Sequence, residues 1–305
     1  MKRLIFPATS RVHVARQKHL IAELKRHFIV DIFEPLIQVA NDIETYAIVA
    51  AAGFKNFIAG KDYDLALIRA DRFELLLLAG ICAYRGIPIA HIEGGADSGA
   101  DVIDTRVRNA ITQLADIHLV TDEKARRRVQ MLGADNVYNV GSLDVSFASI
   151  IAQEQRKSPV SEQPYILFLH HALPGEDTDL ALDAIGGLGY EIVGVKANSD
   201  YKASLMSEEW SPEDFIALMQ GAVCMVGNSS AMCKELSVLG TPGVLVGTRQ
   251  DGRVIGRNVM RVPHDKDEIR RAVEWQIAHG RYARDDVYYK KGTEKEIVKI
   301  LKRHL

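Results

Sequence analysis

Short runs of apolar residues alternate along the chain with longer segments whose apolar residues recur every three or four positions. Strand-like runs in the first half cover residues 4–7, 64–69, 87–91, 117–120 and 137–140. Helical spacing is found at residues 14–27, 72–85, 103–115 and 122–132. Runs that are apolar throughout are typical of parallel strands that are covered on both faces. The pattern therefore predicts a parallel sheet wrapped by helices.

The same alternation resumes after a polar segment at residues 149–163, which predicts an interdomain linker. Strands are predicted at residues 165–169, 190–195, 223–226 and 243–246, and helices at 177–188, 211–220, 231–239 and 265–279. We therefore predict an α/β fold of two Rossmann-like, doubly wound domains, residues 1–150 and 164–285, with a ligand at the carboxyl ends of the strands in an interdomain cleft. Residues 286–305 predict a C-terminal helix that could pack back on the first domain.

Composition narrows the class of protein and its partners. The 305 residues are 47% hydrophobic and 26% charged, as in folded globular domains. The net charge of −2, without a basic block, argues against a nucleic-acid partner. The longest apolar run, residues 75–83, is too short to cross a membrane. Cys82, Cys224 and Cys233 lie in apolar or helical contexts typical of reduced thiols, so we expect a cytoplasmic protein.

A candidate anion site follows the predicted strand at residues 223–226. Gly227-Asn228-Ser229-Ser230 comes next and precedes a helical pattern, which predicts a tight turn and a serine-capped helix start. After the next strand come Arg249 and Arg253, whose guanidinium groups can bind phosphate oxygens. An ordinary crossover that binds nothing is the alternative. The Lys-Ser/Thr of a P-loop is absent, and no GxGxxG follows the first strand, which disfavours ATP and nicotinamide cofactors.

Candidate acid/base groups follow two strands of the first half. Asp71 and Glu93 come directly after strands, and Asp104 lies near a helix start. At the carboxyl edge of one sheet these carboxylates could exchange protons with a substrate. Two glycines after Glu93 would let the backbone approach a ligand closely. Purely structural roles are the alternative, since Asp71 or Asp104 could cap a helix and Glu93 could pair with Arg72.

His170 and His171 end the predicted strand at residues 165–169. A metal site would have to recruit Glu176 or Asp177, and no spaced second histidine or cysteine pair supports one. We therefore expect no metal. A phosphate-binding or proton-transfer role for His170 is favoured, and a surface histidine is the alternative.

Six segments of the chain resemble the hydrolysing UDP-N-acetylglucosamine 2-epimerases. They are ADRFE at 70–74, IPIAHIEGG at 87–95, VIDTRVRNAITQLADIHLVT at 102–121, YNVGSLDV at 138–145, VGNSSAMCKE at 226–235 and GTRQDGRVIGRNV at 247–259. The resemblance implies a GT-B arrangement with the nucleotide sugar in the cleft. It also implies conversion of UDP-N-acetylglucosamine to N-acetylmannosamine and UDP without a cofactor, by a homodimer.

The resemblance assigns roles to matching positions. It makes Asp71, Glu93 and Asp104 the acid/base carboxylates and places His170 at the start of the second domain's first loop. Arg11 matches an arginine near the diphosphate. The remaining residues of the predicted UDP-sugar site are Gly227, Asn228, Ser229, Ser230, Glu235 (at the ribose), Arg249, Gln250 and Arg253.

The chain departs from the family pattern at His13, Ala70 and Thr105, where an acid, a glycine and a second acid are usual. It is also dozens of residues shorter than the family norm. Two other functions therefore stay open. One is a UDP-sugar glycosyltransferase of the same fold, and the other is a nucleotide-sugar-binding homologue without catalysis.

Overall fold

Two compact units make up the chain. The computed structural model describes residues 1–9, 11–35, 42–69, 72–97, 99, 103–160, 163–171, 177–195 and 210–305, without the side chains of 11–13 and 178. The first unit comprises residues 1–97, 101–143 and 290–305, and the second comprises residues 98–100 and 144–289. Each unit is built around a parallel sheet, so the predicted α/β class with two Rossmann-like sheets is confirmed.

The described part of the first unit contains a six-stranded parallel sheet. Its strands are β1 (Arg3–Pro7), β2 (Ile29–Phe33), β3 (Leu65–Arg69), β4 (Ile89–Ile92), β5 (Ile117–Val120) and β6 (Val137–Asn139), in the spatial order β2-β1-β3-β4-β5-β6. The pattern did not predict β2, because it is an edge strand with Asp31 at its centre. That carboxylate accepts hydrogen bonds from Arg3 Nε at 3.0 Å and Tyr63 Oη at 2.6 Å.

Helices cover both faces of this sheet. They are α1 (Arg11–Arg16), α2 (Lys18–Lys25), α3 (Ile43–Phe57), α4 (Phe73–Tyr84), α5 (Ile103–Leu114) and α6 (Glu123–Met131). The predicted helix at 14–27 is therefore two helices separated at Gln17, and α3 was not predicted. Leu4 and Phe6 pack on the same side as α2, whereas Ile5 packs on the side of α3, α4 and α5. Since both faces are buried, the strands have few polar positions.

The described part of the second unit contains a five-stranded parallel sheet. Its strands are β7 (Tyr165–Leu169), β8 (Glu191–Gly194), β9 (Cys224–Gly227), β10 (Gly243–Val246) and β11 (Val259–Val262), in the order β11-β10-β9-β7-β8. Its helices are α7 (Leu143–Gln153), α8 (Thr178–Ile185), α9 (Pro212–Gly221), α10 (Ser230–Cys233), α11 (Glu235–Leu239) and α12 (Lys266–His279). The predicted helix at 231–239 is interrupted, because Lys234 has φ −94° and ψ −83°. β11 was not predicted.

Strand order reverses once in each sheet, between β1 and β3 in the first unit and between β7 and β9 in the second. Connections on either side of such a point run to opposite faces of the sheet, which leaves a crevice at the carboxyl ends of the strands. Arg69 ends β3, and His170 and Asn228 directly follow β7 and β9. The reversals therefore place candidate functional residues where parallel sheets usually bind ligands.

The last helix, α13 (Thr293–His304), belongs to the first unit. Ile297, Val298 and Leu301 are buried in the cluster that includes α2. The Thr293 hydroxyl donates a hydrogen bond of 2.9 Å to the carbonyl of Val140, which fixes the start of the helix beside β6. None of the helices in the described residues is long and apolar enough to span a membrane.

We expect the packing of α13 to contribute substantially to stability. Replacing the fully buried Leu301 by alanine should lower the free energy of unfolding by about 3 kcal/mol, because transfer energy is lost and a cavity is left. The exposed Lys295 on the same helix is a matched control, and K295A should change the value by less than about 0.5 kcal/mol. Urea unfolding would measure both. Equal effects of the two substitutions would contradict this prediction.

Candidate functional site

The turn after β9 begins with a glycine that no other residue could replace without rearrangement. Gly227 has φ +147°, and a Cβ at this position would overlap the carbonyl oxygen of Leu169 at the end of β7. The two central strands of the second sheet therefore approach closely at their carboxyl ends. This approach brings the segments that follow them, which carry His170 and Asn228, next to each other.

Asn228 joins these two segments through its side chain. Its backbone N–H donates to the Leu169 carbonyl at 3.2 Å. Its Oδ1 accepts from the His171 N–H and its Nδ2 donates to the His171 carbonyl, both at 2.7 Å. The amide thus continues the pairing of β7 and β9 by one residue. Because Asn228 is 1% exposed, these bonds are shielded from competition with water.

The loop after β10 is tied to the same turn. Gln250 is buried and its Nε2 donates to the Asn228 carbonyl at 3.0 Å. Arg249 Nη1 lies 3.5 Å from that oxygen. The segments after three strands, β7, β9 and β10, therefore meet at Asn228. The predicted residues Gly227, Asn228, Arg249, Gln250 and His170 lie in one place.

Histidine rings lie beside this turn. His170 stacks on Phe168, with centroids 6.2 Å apart, and on His264, 5.6 Å apart. The Asn228 Nδ2 lies 3.4 Å from His170 Nε2. Burial, with smaller electrostatic contributions from Arg249 and His170, lowers the pKa of His171 to about 4, so its ring is neutral at pH 7. His264 follows β11 as an isolated histidine, and no motif in the sequence singled it out.

Two side chains of the β10 loop keep buried hydrogen-bonding atoms without a partner among the described residues. They are the Nε and Nη1 donors of Arg253 and the Oε1 acceptor of Gln250. Buried polar atoms in native proteins are almost always paired with protein, water or ligand. These donors and this acceptor therefore mark where a polar, anionic molecule could bind.

The two serines lie at the start of α10. Ser229 is buried, and its Oγ accepts from the Ala231 N–H at 3.3 Å, whereas Ser230 is half-buried. Helix α10 has only four residues, so it is shorter than the pattern predicted. Glu235 begins α11 and is 2% exposed. Between the helices, the buried Lys234 Nζ lies 3.6 Å from Asp144 Oδ2.

Glu93 is buried at the end of β4. Its Oε1 lies 3.1 Å from Arg69 Nη2 and 3.5 Å from the Ser142 hydroxyl. Its backbone has φ +67°, which is uncommon for a residue with a side chain and is found at functional sites. Arg72, the partner considered for Glu93 from the sequence, pairs with Glu74 at 2.5 Å instead.

The two glycines after Glu93 serve helix packing. A Cβ on Gly95, which has φ +70°, would overlap Val129 and the Ala125 carbonyl of α6. A Cβ on Gly94 would come within 3.0 Å of His91 Nδ1. The missing side chains of these glycines thus face α6 and the His91 ring. The close approach of this backbone to a ligand stays a prediction.

Of the other predicted residues, Asp104 and Asp177 lie at helix starts, and the rest lie wholly or partly outside the described part of the chain. Asp104 is exposed in the first turn of α5. Asp71 and Glu176 lie outside the described residues, as does the side chain of Arg11, although its backbone starts α1. Asp177 caps α8 by accepting from the Asp179 N–H at 3.0 Å. Among the described residues no group of three His, Cys, Asp or Glu could hold a metal ion.

Comparisons with known proteins identify the family of the chain and support its fold. A family model described as UDP-N-acetylglucosamine 2-epimerase matches residues 36–302. The UDP-N-acetylglucosamine 2-epimerase of Neisseria meningitidis serogroup B is 28% identical over 253 residues, covering 74% of this chain and 66% of that protein. The GDP/UDP-N,N'-diacetylbacillosamine 2-epimerase (hydrolyzing) of Campylobacter jejuni is 25% identical over 244 residues, covering 70% and 63%.

The chain therefore aligns with just under two thirds of the length of these relatives. The structure of Staphylococcus aureus MnaA with UDP has a TM-score of 0.81 at 14% identity, covering 100% of this chain and 97% of that one. At this identity the structural likeness supports the fold alone. The family is shown by the family model, which matches most of the chain. The chain belongs to the UDP-N-acetylglucosamine 2-epimerase family.

Proposed function

We propose that the protein is a hydrolysing 2-epimerase that converts a UDP-N-acetylhexosamine, UDP-N-acetylglucosamine in the simplest case, to the 2-epimeric sugar and free UDP. The observation that carries the proposal is the meeting of the β7, β9 and β10 segments at Asn228. The same β10 loop carries the buried donors of Arg253 that have no partner among the described residues. The hydrolysing C. jejuni relative supports the reaction type, and the S. aureus structure with UDP supports the nucleotide.

In this proposal the second unit binds UDP. Arg253 and Arg249 bind diphosphate oxygens, with the N–H groups at Ser229 and Ser230. Glu235 bonds the ribose hydroxyls. Gln250 and Asn228 hold the arginine-bearing loop and the serine turn in one arrangement before the ligand arrives. Such preorganisation avoids the cost of ordering the loops on binding.

Chemistry would proceed by elimination and then hydration. The C1–O bond breaks and its electron pair leaves with UDP. A carboxylate takes the C2 proton, and the C2–H electrons form the C1=C2 bond of a glycal. Water then adds its hydroxyl to C1, and C2 receives a proton on the opposite face, which inverts that carbon.

The first unit would supply the proton transfers, with Asp71, Glu93 and Asp104 as the candidate carboxylates. Arg11, His170, Ser229, Ser230 and Arg253 would stabilise the leaving diphosphate. Loss of one such stabilising group should raise the barrier by about 3 kcal/mol, as for single oxyanion donors. The homodimer and the cytoplasmic location stay predictions.

Turnover in deuterated water would test the reaction. With UDP-N-acetylglucosamine and no acceptor, we expect UDP release and a free sugar with deuterium at C2 and inverted configuration there, because the elimination exchanges that hydrogen with solvent. Proton NMR would follow both products. UDP release only when an acceptor is added would favour a glycosyltransferase, and UDP binding without turnover of any UDP-hexosamine would favour a binding protein.

UDP affinity should depend on the guanidinium of Arg253. We expect R253K to weaken UDP binding about 30-fold, roughly 2 kcal/mol, because lysine keeps the charge but loses the planar pair of donors. Isothermal titration calorimetry would measure the affinity. The exposed Arg271 on α12, which pairs with Glu268, provides a control, and R271K should bind UDP as the wild type does. Unchanged affinity of R253K would contradict its role.

A further inference from the structure

A buried guanidinium stands beside the candidate acid/base group of the first unit. Arg69 is 4% exposed and Glu93 is 3% exposed, with Nη2 and Oε1 3.1 Å apart. Arg69 ends β3 and Glu93 directly follows the neighbouring β4, where Ile92 is in register with Arg69. The pair therefore lies at the carboxyl edge of the sheet, next to the reversal of strand order.

Packing does not explain an arginine at this position. Leu65 and Leu67 precede Arg69 at alternate positions of β3, and both belong to the apolar cluster on one face of the sheet. An apolar residue would continue that pattern without the cost of removing a guanidinium from water. Replacement of a buried ion pair by apolar residues is often neutral or stabilising. Stability is therefore a weak reason for keeping both charges here.

Glu93 itself needs to be held. A φ of +67° is strained for a residue with a side chain and persists only where surrounding contacts enforce it. Its backbone N–H donates to the Leu119 carbonyl at 2.8 Å. Its side chain is held at Oε1 by Arg69 and by the hydroxyl of Ser142, which is completely buried. Both ends of the residue are thus fixed.

We propose that Arg69 is a positioning residue that keeps Glu93 ionised and oriented to accept the C2 proton of the substrate. This inference rests on the proposed function and deepens it, because it assigns the role of base to one of the three candidate carboxylates. Arginine stays protonated in proteins, so it supplies a constant charge and does not take the proton itself.

The chemistry of the elimination is compatible with such a base. Pairing with a guanidinium makes a carboxylate a weaker base. A weak base suffices when the C1–O bond breaks ahead of the C2–H bond, since positive charge at C1 makes the C2 hydrogen more acidic. The proton then moves from C2 to the Glu93 carboxylate, and the C2–H electrons form the double bond. Arg69 acts by fixing the acceptor where that proton leaves.

The test combines variants of Arg69 with a double-mutant cycle. For wild type, R69M, R69K, E93Q and R69M/E93Q, one would measure UDP affinity, kcat and KM for UDP-N-acetylglucosamine, deuterium incorporation at C2 and thermal stability. R69M should bind UDP within about twofold of wild type and lose on the order of 100-fold in kcat and C2 exchange, as when one fixed electrostatic group is removed. R69K should recover at least about a tenth of wild-type kcat because it restores the charge.

When Glu93 is already replaced in E93Q, adding R69M should lower kcat by less than about threefold, since Arg69 acts through Glu93. Arg3 provides a matched control, because its Nε lies 3.0 Å from Asp31 Oδ2 at the opposite end of the same sheet. R3M removes a guanidinium–carboxylate pair there and should leave kcat and C2 exchange unchanged, whatever its effect on stability.

Different outcomes separate the two proposals. The positioning role is overturned if R69M loses thermal stability but keeps the wild-type kcat. It is also overturned if R69M lowers kcat as much in the E93Q background as in the wild type. If R69M does not fold, the R69K variant provides the test. A kcat of R69K no higher than that of E93Q would overturn the positioning role of Arg69. A wild-type protein that neither epimerises nor exchanges any UDP-hexosamine would overturn the proposed function, and the role of Arg69 with it.

Discussion

The two hydrogen bonds between the Asn228 amide and the His171 backbone hold the second unit's candidate site together. Without them, the segments after β7 and β9 would diverge beyond the last strand pair. The Asn228 carbonyl accepts in turn from Gln250, which ties the β10 loop to the same point. The Asn228 side chain is buried, so leaving one of its polar groups unsatisfied costs more than the bond itself contributes. One residue, through its side chain and its carbonyl, therefore joins three loops.

Much of this arrangement was predictable from the sequence. The apolar runs predicted most strands because parallel strands buried on both faces leave no other pattern. The Gly-Asn-Ser-Ser turn was predictable because a glycine and capping serines after an apolar run are typical of a strand that turns directly into a helix. β2 was missed because Asp31 interrupts its pattern, and the break at Lys234 was missed because helical spacing continues across it.

Residues that act through spatial neighbours could not be predicted from the sequence. The link between Arg69 and Glu93 depends on the pairing of β3 with β4, and residues 24 positions apart give no local signal. His264 was missed for the same reason, since only the fold brings its ring to His170. The packing neighbours of Gly94 and Gly95 were likewise not predictable, because the pattern reveals that a side chain is missing, but not which neighbour requires its absence.

The return of α13 to the first unit has a consequence for the order of folding. Residues 290–305 belong with residues 1–97 and 101–143, although the whole of residues 144–289 is synthesised between them. Ile297 and Leu301 complete an apolar cluster that includes Leu4 and Phe6. During translation β1 must therefore wait, incompletely covered, until α13 has left the ribosome. Chaperone dependence and aggregation of nascent chains should concentrate on that uncovered face.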